Sequence, residues 1–108
     1  MSAPAKAPAK VIVAGTVRAP AENIAALRPH MAAMMAASRA EDGCEAYGYA
    51  EDVTEAGLIH VFEIWRDEAA LEAHFRSPHM SAWRAAWPEL GVADRALTLY
   101  RVADERPF

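Results

Sequence analysis

Residues 59–80 read IHVFEIWRDEAALEAHFRSPHM, and in this stretch a strand pattern passes directly into two helix patterns. The first half is apolar, aromatic and β-branched, interrupted by His60 and Glu63, which predicts a strand with at least one buried face. Asp67 is a good helix N-cap, and Ser77-Pro78 repeats the signal with a serine cap and a proline at the first helical position. We therefore expect a short helix followed at once by a second one.

The chain before this stretch predicts a strand, a long helix and another strand. Residues 11–18 are β-branched and apolar, as in an interior strand. Apolar residues then recur at three- and four-residue spacing through Arg39, which predicts an amphipathic helix, and Pro29 within it predicts a kink or a restart. Residues 44–53 alternate between small and large side chains, which predicts a strand in which Gly48 marks a bulge or close packing.

Two further boundaries complete the predicted elements. Turn-forming residues at 54–57 connect the second strand to the third, which begins near Ile59, so these strands should form a hairpin. The helix that starts at Pro78 is expected to end at Pro88. Residues 93–102 then predict the last strand.

The order strand, helix, hairpin, helix pair, strand predicts one α+β domain at residues 11–102. It is the order of a ferredoxin-like split βαβ fold, in which helices cover one face of a four-stranded antiparallel sheet. Because three strands have apolar residues on both sides, we expect a second copy to cover the other face, giving a homodimer with a barrel-like core. Residues 1–10, rich in Ala, Pro and Lys, predict a flexible tail, and residues 103–108 predict a polar one.

Composition and charge exclude several classes of partner. The formal net charge of -4 over 108 residues provides no electrostatic reason to bind nucleic acid or an anionic membrane. Cys44 is the only cysteine, so no intramolecular disulfide can form. The first residues lack the apolar run of a signal peptide or a membrane span, and we expect a cytoplasmic protein.

Histidines are the candidate catalytic or metal-binding residues, since no phosphate-binding glycine loop or paired-cysteine site is present. His74 and His79 are five residues apart and would diverge on a continuous helix, so we expect no metal site there or at His60. His74 shares a helix face with Leu71 and Phe75 and should point towards the sheet, where it could move a proton near neutral pH. Alternatively, His74 has no catalytic role and only forms hydrogen bonds with a backbone group or with water.

Glu63 and the aromatic residues each allow a structural interpretation. A buried Glu63 needs a partner such as Arg18 or Arg101, and a structural ion pair is the favoured interpretation. Five aromatic residues could pack together with the flexible methionines in one apolar cluster. The five are Tyr47, Tyr49, Trp65, Trp83 and Trp87. Most of this set should be core, and part of it could instead line a pocket for a flat aromatic ligand.

Three motifs resemble one known family: EDGCEAY at residues 41–47, VFEIWRDEAALEAH at 61–74 and SPHM at 77–80. Together they resemble the antibiotic biosynthesis monooxygenase domain family, particularly its quinol monooxygenase branch, over residues 11–102. The resemblance implies a dimeric ferredoxin-like α/β barrel with a ligand pocket between sheet and helices in each subunit. It also implies oxidation of quinol or polyketide-type aromatics by molecular oxygen, without a metal or flavin cofactor.

On this resemblance, His74 is the expected catalytic base. The expected substrate-binding residues are Tyr47, Tyr49, Trp65, His79 and Trp83. His60 would be a second acid or base if it faced the pocket, and would otherwise lie at the dimer core. We therefore expect a monooxygenase that removes the proton of a phenol or quinol, so that the electron-rich anion can reduce oxygen.

Two other functions stay open at this point. The first is a non-catalytic dimeric module that binds a small hydrophobic ligand. The second is a protein that binds or degrades haem, which ranks lower because the first strand has no Asn.

Overall fold

The computed structural model describes residues 9–108, and four strands and three α-helices follow one another in this part of the chain. They are β1 (Val11–Arg18), α1 (Ile24–Arg39), β2 (Cys44–Glu51), β3 (Leu58–Trp65), α2 (Glu68–Phe75), α3 (Pro78–Leu90) and β4 (Ala93–Arg101), with a 3-10 turn at Ala21–Asn23. The strands form one antiparallel sheet in the order β2-β3-β1-β4. This architecture confirms the predicted α+β, ferredoxin-like fold. Of the predicted N-terminal tail, residues 1–8 lie outside the described residues.

Strand β3 lies between β2 and β1, and its alternation divides the sheet into two faces. On the covered face, beneath the helices, its buried side chains are Ile59, Val61, Glu63 and Trp65. On the open face, which no helix of residues 9–108 covers, its side chains are His60, Phe62 and Ile64. The period of two therefore places Glu63 inside the molecule and His60 outside it.

The two predicted helix starts are confirmed by their caps. The Asp67 side chain accepts a hydrogen bond from the Ala70 backbone N–H at 2.8 Å and starts α2. The Ser77 hydroxyl accepts one from the Met80 backbone N–H at 3.2 Å and starts α3, with Pro78 in the first turn. Each cap satisfies a backbone donor that a helix start leaves without a partner.

The structure shows neither a helix restart at Pro29 nor a helix end at Pro88. Helix α1 is continuous through Pro29, and α3 continues past Pro88 to Leu90 before Gly91 ends it in the left-handed conformation, with φ of 72°. Both prolines are exposed. Solvent can therefore hydrate the carbonyl groups that the missing proline N–H groups leave without a helical partner, which lowers the cost of each proline.

The predicted bulge is also misplaced. Pairing between β2 and β3 shifts between Cys44 and Ala46, whereas Gly48 pairs regularly with Phe62. A Cβ atom at Gly48 would meet nothing closer than 4.0 Å, so close packing does not require a glycine there either. Within residues 9–108, none of the helices combines the length and the apolar character needed to cross a membrane.

Candidate functional site

A cavity of about 200 Å³ lies between the covered face of the sheet and helices α2 and α3. Apolar side chains form most of its wall, among them Val13, Val61, Leu71, Met80, Trp83 and Leu97. The polar side chains that reach it include Tyr47, Tyr49, Glu63, His74 and Arg95. An apolar cavity with a few polar groups is the usual form of a small-molecule site.

The best-buried polar group of the cavity is His74, which is 1% exposed. Its Nδ1 lies 2.6 Å from Oε2 of Glu41, in the turn after α1. Because an ionised carboxylate only accepts hydrogen bonds, Nδ1 carries the proton and Nε2 is left as the basic nitrogen. Burial lowers the pKa of His74 below its ordinary value, while Glu41 opposes this change. The imidazole is therefore neutral at pH 7 and able to take a proton.

Glu41 also binds the second histidine of the pair, because its Oε2 accepts a hydrogen bond from Nε2 of His79 at 3.1 Å. The ring centroids of His74 and His79 are only 5.9 Å apart. The rings do not diverge as they would on a continuous helix, because the predicted break at Ser77-Pro78 separates α2 from α3. Glu41, His74 and His79 each offer one potential metal-ligand atom, and these three atoms lie within 4.8 Å of one another. A divalent cation could bind at this spacing, although hydrogen bonds already join the three side chains.

Two tyrosines of β2 form the next part of the wall. The hydroxyl oxygens of Tyr47 and Tyr49 are 2.6 Å apart, and their rings meet edge to face. Burial raises the pKa of Tyr49 to about 12 and raises the pKa of Tyr47 further. Both phenols therefore stay protonated at neutral pH. Tyr49 also contacts Trp83, with ring centroids 5.8 Å apart, so this part of the wall is aromatic.

Glu63 differs from its predicted role. It is 6% exposed, and its Oε1 accepts a hydrogen bond from Nε1 of Trp65 at 2.9 Å. The predicted ion pair with Arg18 or Arg101 is wrong, because both guanidinium groups pair with other carboxylates at the protein surface. Burial raises the pKa of Glu63 to about 7. The side chain can therefore be either an acid or a carboxylate near neutral pH.

Arg95 of β4 marks the side on which the cavity opens to solvent, since it is exposed and also lines the cavity. Its Cζ lies 4.6 Å from the ring centroid of Trp87, a cation–π contact that holds the side chain across the aromatic wall. Within residues 9–108 its guanidinium group forms no salt bridge.

Only part of the predicted site comes together at the cavity. The residues that line it are His74, Tyr47, Tyr49 and Trp83. Trp65 is completely buried behind the wall, where its ring lies 4.7 Å from that of His74 by centroid. His79 lines a separate, shallower groove between α1 and α3, beside Ala33 and Met34. His60 lies on the open face, where its Nε2 is 2.8 Å from Oδ1 of Asp52.

Sequence reasoning missed Glu41 and Arg95 and misjudged the role of Glu63. Glu41 was part of a family-like motif but had no assigned role, and only the turn after α1 brings it to His74. Arg95 had no local signal, because its position depends on the pairing of β4 with β1. Glu63 could have been recognised from strand alternation, which places a carboxyl group on an otherwise apolar face.

The cavity can position an aromatic ring, and His74 can take a proton from a hydroxyl group on that ring. The aromatic wall excludes water and stacks with a flat ligand, and the neutral imidazole supplies a base near neutral pH. His74 is held in one orientation by Glu41 on one side and by the Trp65 ring on the other.

Known proteins share both the sequence pattern and the fold. The family model of antibiotic biosynthesis monooxygenases matches residues 10–86. The Mycobacterium tuberculosis protein Rv0793, described as a candidate monooxygenase, is 39% identical over 80 residues, which are 74% of this chain and 78% of that protein. The uncharacterised Synechocystis protein sll1783 is 29% identical over 94 residues, or 87% of this chain, and the match spans 64% of that protein's length.

Solved structures agree with these matches. A candidate antibiotic biosynthesis monooxygenase from Deinococcus radiodurans superposes with a TM-score of 0.84 and 32% identity, covering 91% of this chain and 97% of that one. The structure of Rv0793 superposes with a TM-score of 0.78 and 34% identity, covering 91% and 99%. Because the family model covers most of the domain and these relatives share its fold, the chain belongs to the antibiotic biosynthesis monooxygenase family.

Proposed function

We propose that this protein is a cofactor-independent monooxygenase that oxidises a quinol or phenol with molecular oxygen. The observation that carries the proposal is the buried imidazole of His74, which lines an apolar cavity with aromatic rings in its wall and is held by Glu41. Membership of the family supports a monooxygenase, and the cavity supports an aromatic substrate.

The first step is removal of the phenolic proton. Nε2 of His74 takes the proton from the ring hydroxyl, and the Glu41 carboxylate stabilises the imidazolium that results. Because the pKa of His74 is lowered by burial, the ring is unprotonated and ready at neutral pH. The apolar wall keeps water from the anion and preserves its tendency to give up electrons.

The electrons for oxygen then come from the substrate itself. A hydroquinone gives four electrons to one oxygen molecule: one oxygen atom enters the ring, the other leaves as water, and the product is a hydroxyquinone. The protonated tyrosine pair at Tyr47 and Tyr49 can donate a hydrogen bond to oxygen-derived negative charge as it develops.

The size of the cavity favours a substrate with one ring. An engineered apolar cavity of about 150 Å³ holds a benzene molecule. A cavity of about 200 Å³ therefore has room for a substituted single ring, with further substituents directed past Arg95 to solvent. A haem macrocycle, with four pyrrole rings, exceeds this volume.

Oxygen uptake with a panel of single-ring hydroquinones tests the proposal. The wild type should consume oxygen, and His74→Ala should reduce kcat by roughly 100-fold or more, because a positioned base contributes about that much. His60→Ala is the matched control, since this histidine lies on the open face, and should stay within about twofold of the wild type. Equal rates for wild type and His74→Ala would rule out His74 as the base.

The same panel tests the non-catalytic alternative. A hydroquinone that raises the melting temperature of the wild type but causes no oxygen uptake would indicate a binding module instead of an oxygenase.

We also propose that the open face of the sheet is the interface of a homodimer. Phe62 and Tyr100 are 48% and 54% exposed, and Phe62 lies on the open face. Exposed apolar side chains on a sheet face favour association with a second copy. Light scattering at micromolar concentration should give the dimer mass, and Phe62→Glu should shift it towards the monomer. A monomeric wild type would contradict the interface.

A further inference from the structure

Glu63 is a buried carboxyl group at the cavity wall that the proton transfer to His74 does not use. We propose that Glu63 is a second ligand-binding residue, whose carboxylate accepts a hydrogen bond from a hydroxyl group on the aromatic ring. The inference rests on the proposed function, because its ligand is the quinol proposed above. It narrows the substrate to rings with two hydroxyl groups, one for His74 and one for Glu63.

The surroundings of Glu63 leave part of its carboxylate free for a ligand. Trp65 Nε1 donates to Oε1, and within residues 9–108 no other hydrogen-bond donor reaches either oxygen. The neighbouring side chains on this face of β3 are the apolar Val61 and Trp65. An apolar residue at position 63 would avoid the cost of burying a carboxyl group, so stability alone gives no reason for Glu63.

Trp65 places the two proposed acceptors on the same wall. Its indole N–H holds Glu63, and its ring lies 4.7 Å by centroid from the imidazole of His74. Both residues line the one cavity of about 200 Å³. In this proposal a ring with two hydroxyl groups places one on each acceptor, whereas a ring with one hydroxyl group can meet only one of them.

Several titratable or charged groups surround Glu63: Tyr47, Tyr49 and Cys44 of β2, His74 of α2, Arg95 of β4 and Glu41 after α1. Burial raises the pKa of the tyrosines and of Cys44, so these groups keep their protons near neutral pH. The pKa of His74 is lowered from 6.5, whereas that of Glu63 is about 7. Ionisation of Glu63 should therefore strengthen binding of the second hydroxyl as the pH rises through 7.

The test is anaerobic binding of two probes, hydroquinone and 4-methoxyphenol, followed by tryptophan fluorescence at about pH 6, 7 and 8. The methoxy group removes one hydroxyl donor and keeps the ring. The wild type should bind hydroquinone at least about tenfold more tightly at pH 8, because a hydrogen bond to a charged group is lost with 4-methoxyphenol, and the preference should shrink at pH 6.

Two variants distinguish a specific role of Glu63 from a general effect on the cavity. Glu63→Gln should reduce the preference to less than about threefold and make it independent of pH, since the amide cannot ionise. Glu72→Gln, at an exposed position of α2, should behave as the wild type. Binding of 1,4-dimethoxybenzene, which has no hydroxyl donor, should be the same in all three proteins and shows that the cavity is intact.

Equal affinity of the wild type for hydroquinone and 4-methoxyphenol would overturn the inference, as would an unchanged preference in Glu63→Gln. If Glu63→Gln does not fold, the wild-type preference and its pH dependence decide the matter alone. The binding assay contains no oxygen, so it tests the role of Glu63 separately from oxygenase activity. The expected preference would support that role even in a protein that consumes no oxygen. Oxygen uptake by a protein without that preference would overturn only the role of Glu63.

Discussion

The two faces of the sheet carry similar histidine–carboxylate pairs in different surroundings. On the covered face, His74 lies 2.6 Å from Glu41 and is 1% exposed. On the open face, His60 lies 2.8 Å from Asp52 and its side chain is 51% exposed. The two hydrogen bonds have nearly the same length, so distance does not distinguish the pairs. Access to solvent does, because His74 is buried at the wall of the cavity whereas His60 is exposed on the open face.

Asp52 has a structural role that Glu41 does not share. Its Oδ2 accepts hydrogen bonds from the hydroxyl and the backbone N–H of Thr54 and from the backbone N–H of Glu55. These bonds, together with the one from His60, hold the pKa of Asp52 well below its usual range. Asp52 therefore stabilises the turn of the β2–β3 hairpin. A histidine–carboxylate pair can therefore accompany a surface turn, as at Asp52, or fix the orientation of a buried imidazole, as at Glu41.

The largest expected effect concerns the charge on Glu63, the other buried acid of the covered face. Its pKa of about 7 in the folded protein lies above the ordinary 4.5, so the stability present at low pH is lost as the pH rises through 7. Glu63→Gln stays neutral and avoids this loss. Its stability relative to the wild type should improve by about 3 kcal/mol between about pH 4 and pH 8.5.

Urea denaturation of both proteins at the two pH values measures this difference. Glu72→Gln removes an exposed carboxylate and should follow the wild type at both pH values. Parallel pH dependences for Glu63→Gln and the wild type would mean that the Glu63 carboxylate is well solvated in the folded protein.

The next largest effect is expected at Glu41, and Asp52, the carboxylate partner of the other histidine, provides the comparison. Glu41→Gln keeps the shape but removes the charge that stabilises the imidazolium of His74, so kcat for a hydroquinone should fall about tenfold or more. Asp52→Asn makes the same change beside His60 on the open face and should leave kcat within about twofold. Steady-state oxygen uptake measures both, and an equal loss in the two variants would remove the distinction between the pairs.

The smallest effect is the pH dependence of the wild-type reaction. Burial lowers the pKa of His74 from 6.5, so kcat at saturating hydroquinone should change little above pH 6.5 and fall by a few-fold below pH 6.5, as the base becomes protonated. His60→Ala should show the same profile, because its side chain lies outside the cavity. A decline that begins well above pH 7 would indicate that another group controls the reaction.

Local signals were sufficient for most of the fold. The cap residues Asp67 and Ser77 predicted both helix starts, and the apolar pattern after Ile59 predicted a strand with a buried face. The helix restart expected at Pro29 and the helix end expected at Pro88 do not occur, and both positions are exposed, so solvent can hydrate the carbonyl that each proline leaves without a partner.

The residues of the candidate site were harder to predict from local sequence signals. His74, Tyr47, Tyr49 and Trp83 were named from the sequence and do line one cavity, whereas Trp65 and His79 lie behind it and beside it. These two could not be separated from the others, because short-range periodicity fixes the face of an element but not the depth of a side chain in the packed molecule.

The sequence by itself determined the order of elements and the helix caps, because both depend on residues a few positions apart. Only the tertiary structure decided which partners those residues meet. Glu41 reaches His74 across 33 positions of sequence, and Glu63 loses its expected arginines because other carboxylates bind them at the surface. Partner choice depends on packing and solvent access, which no local pattern records.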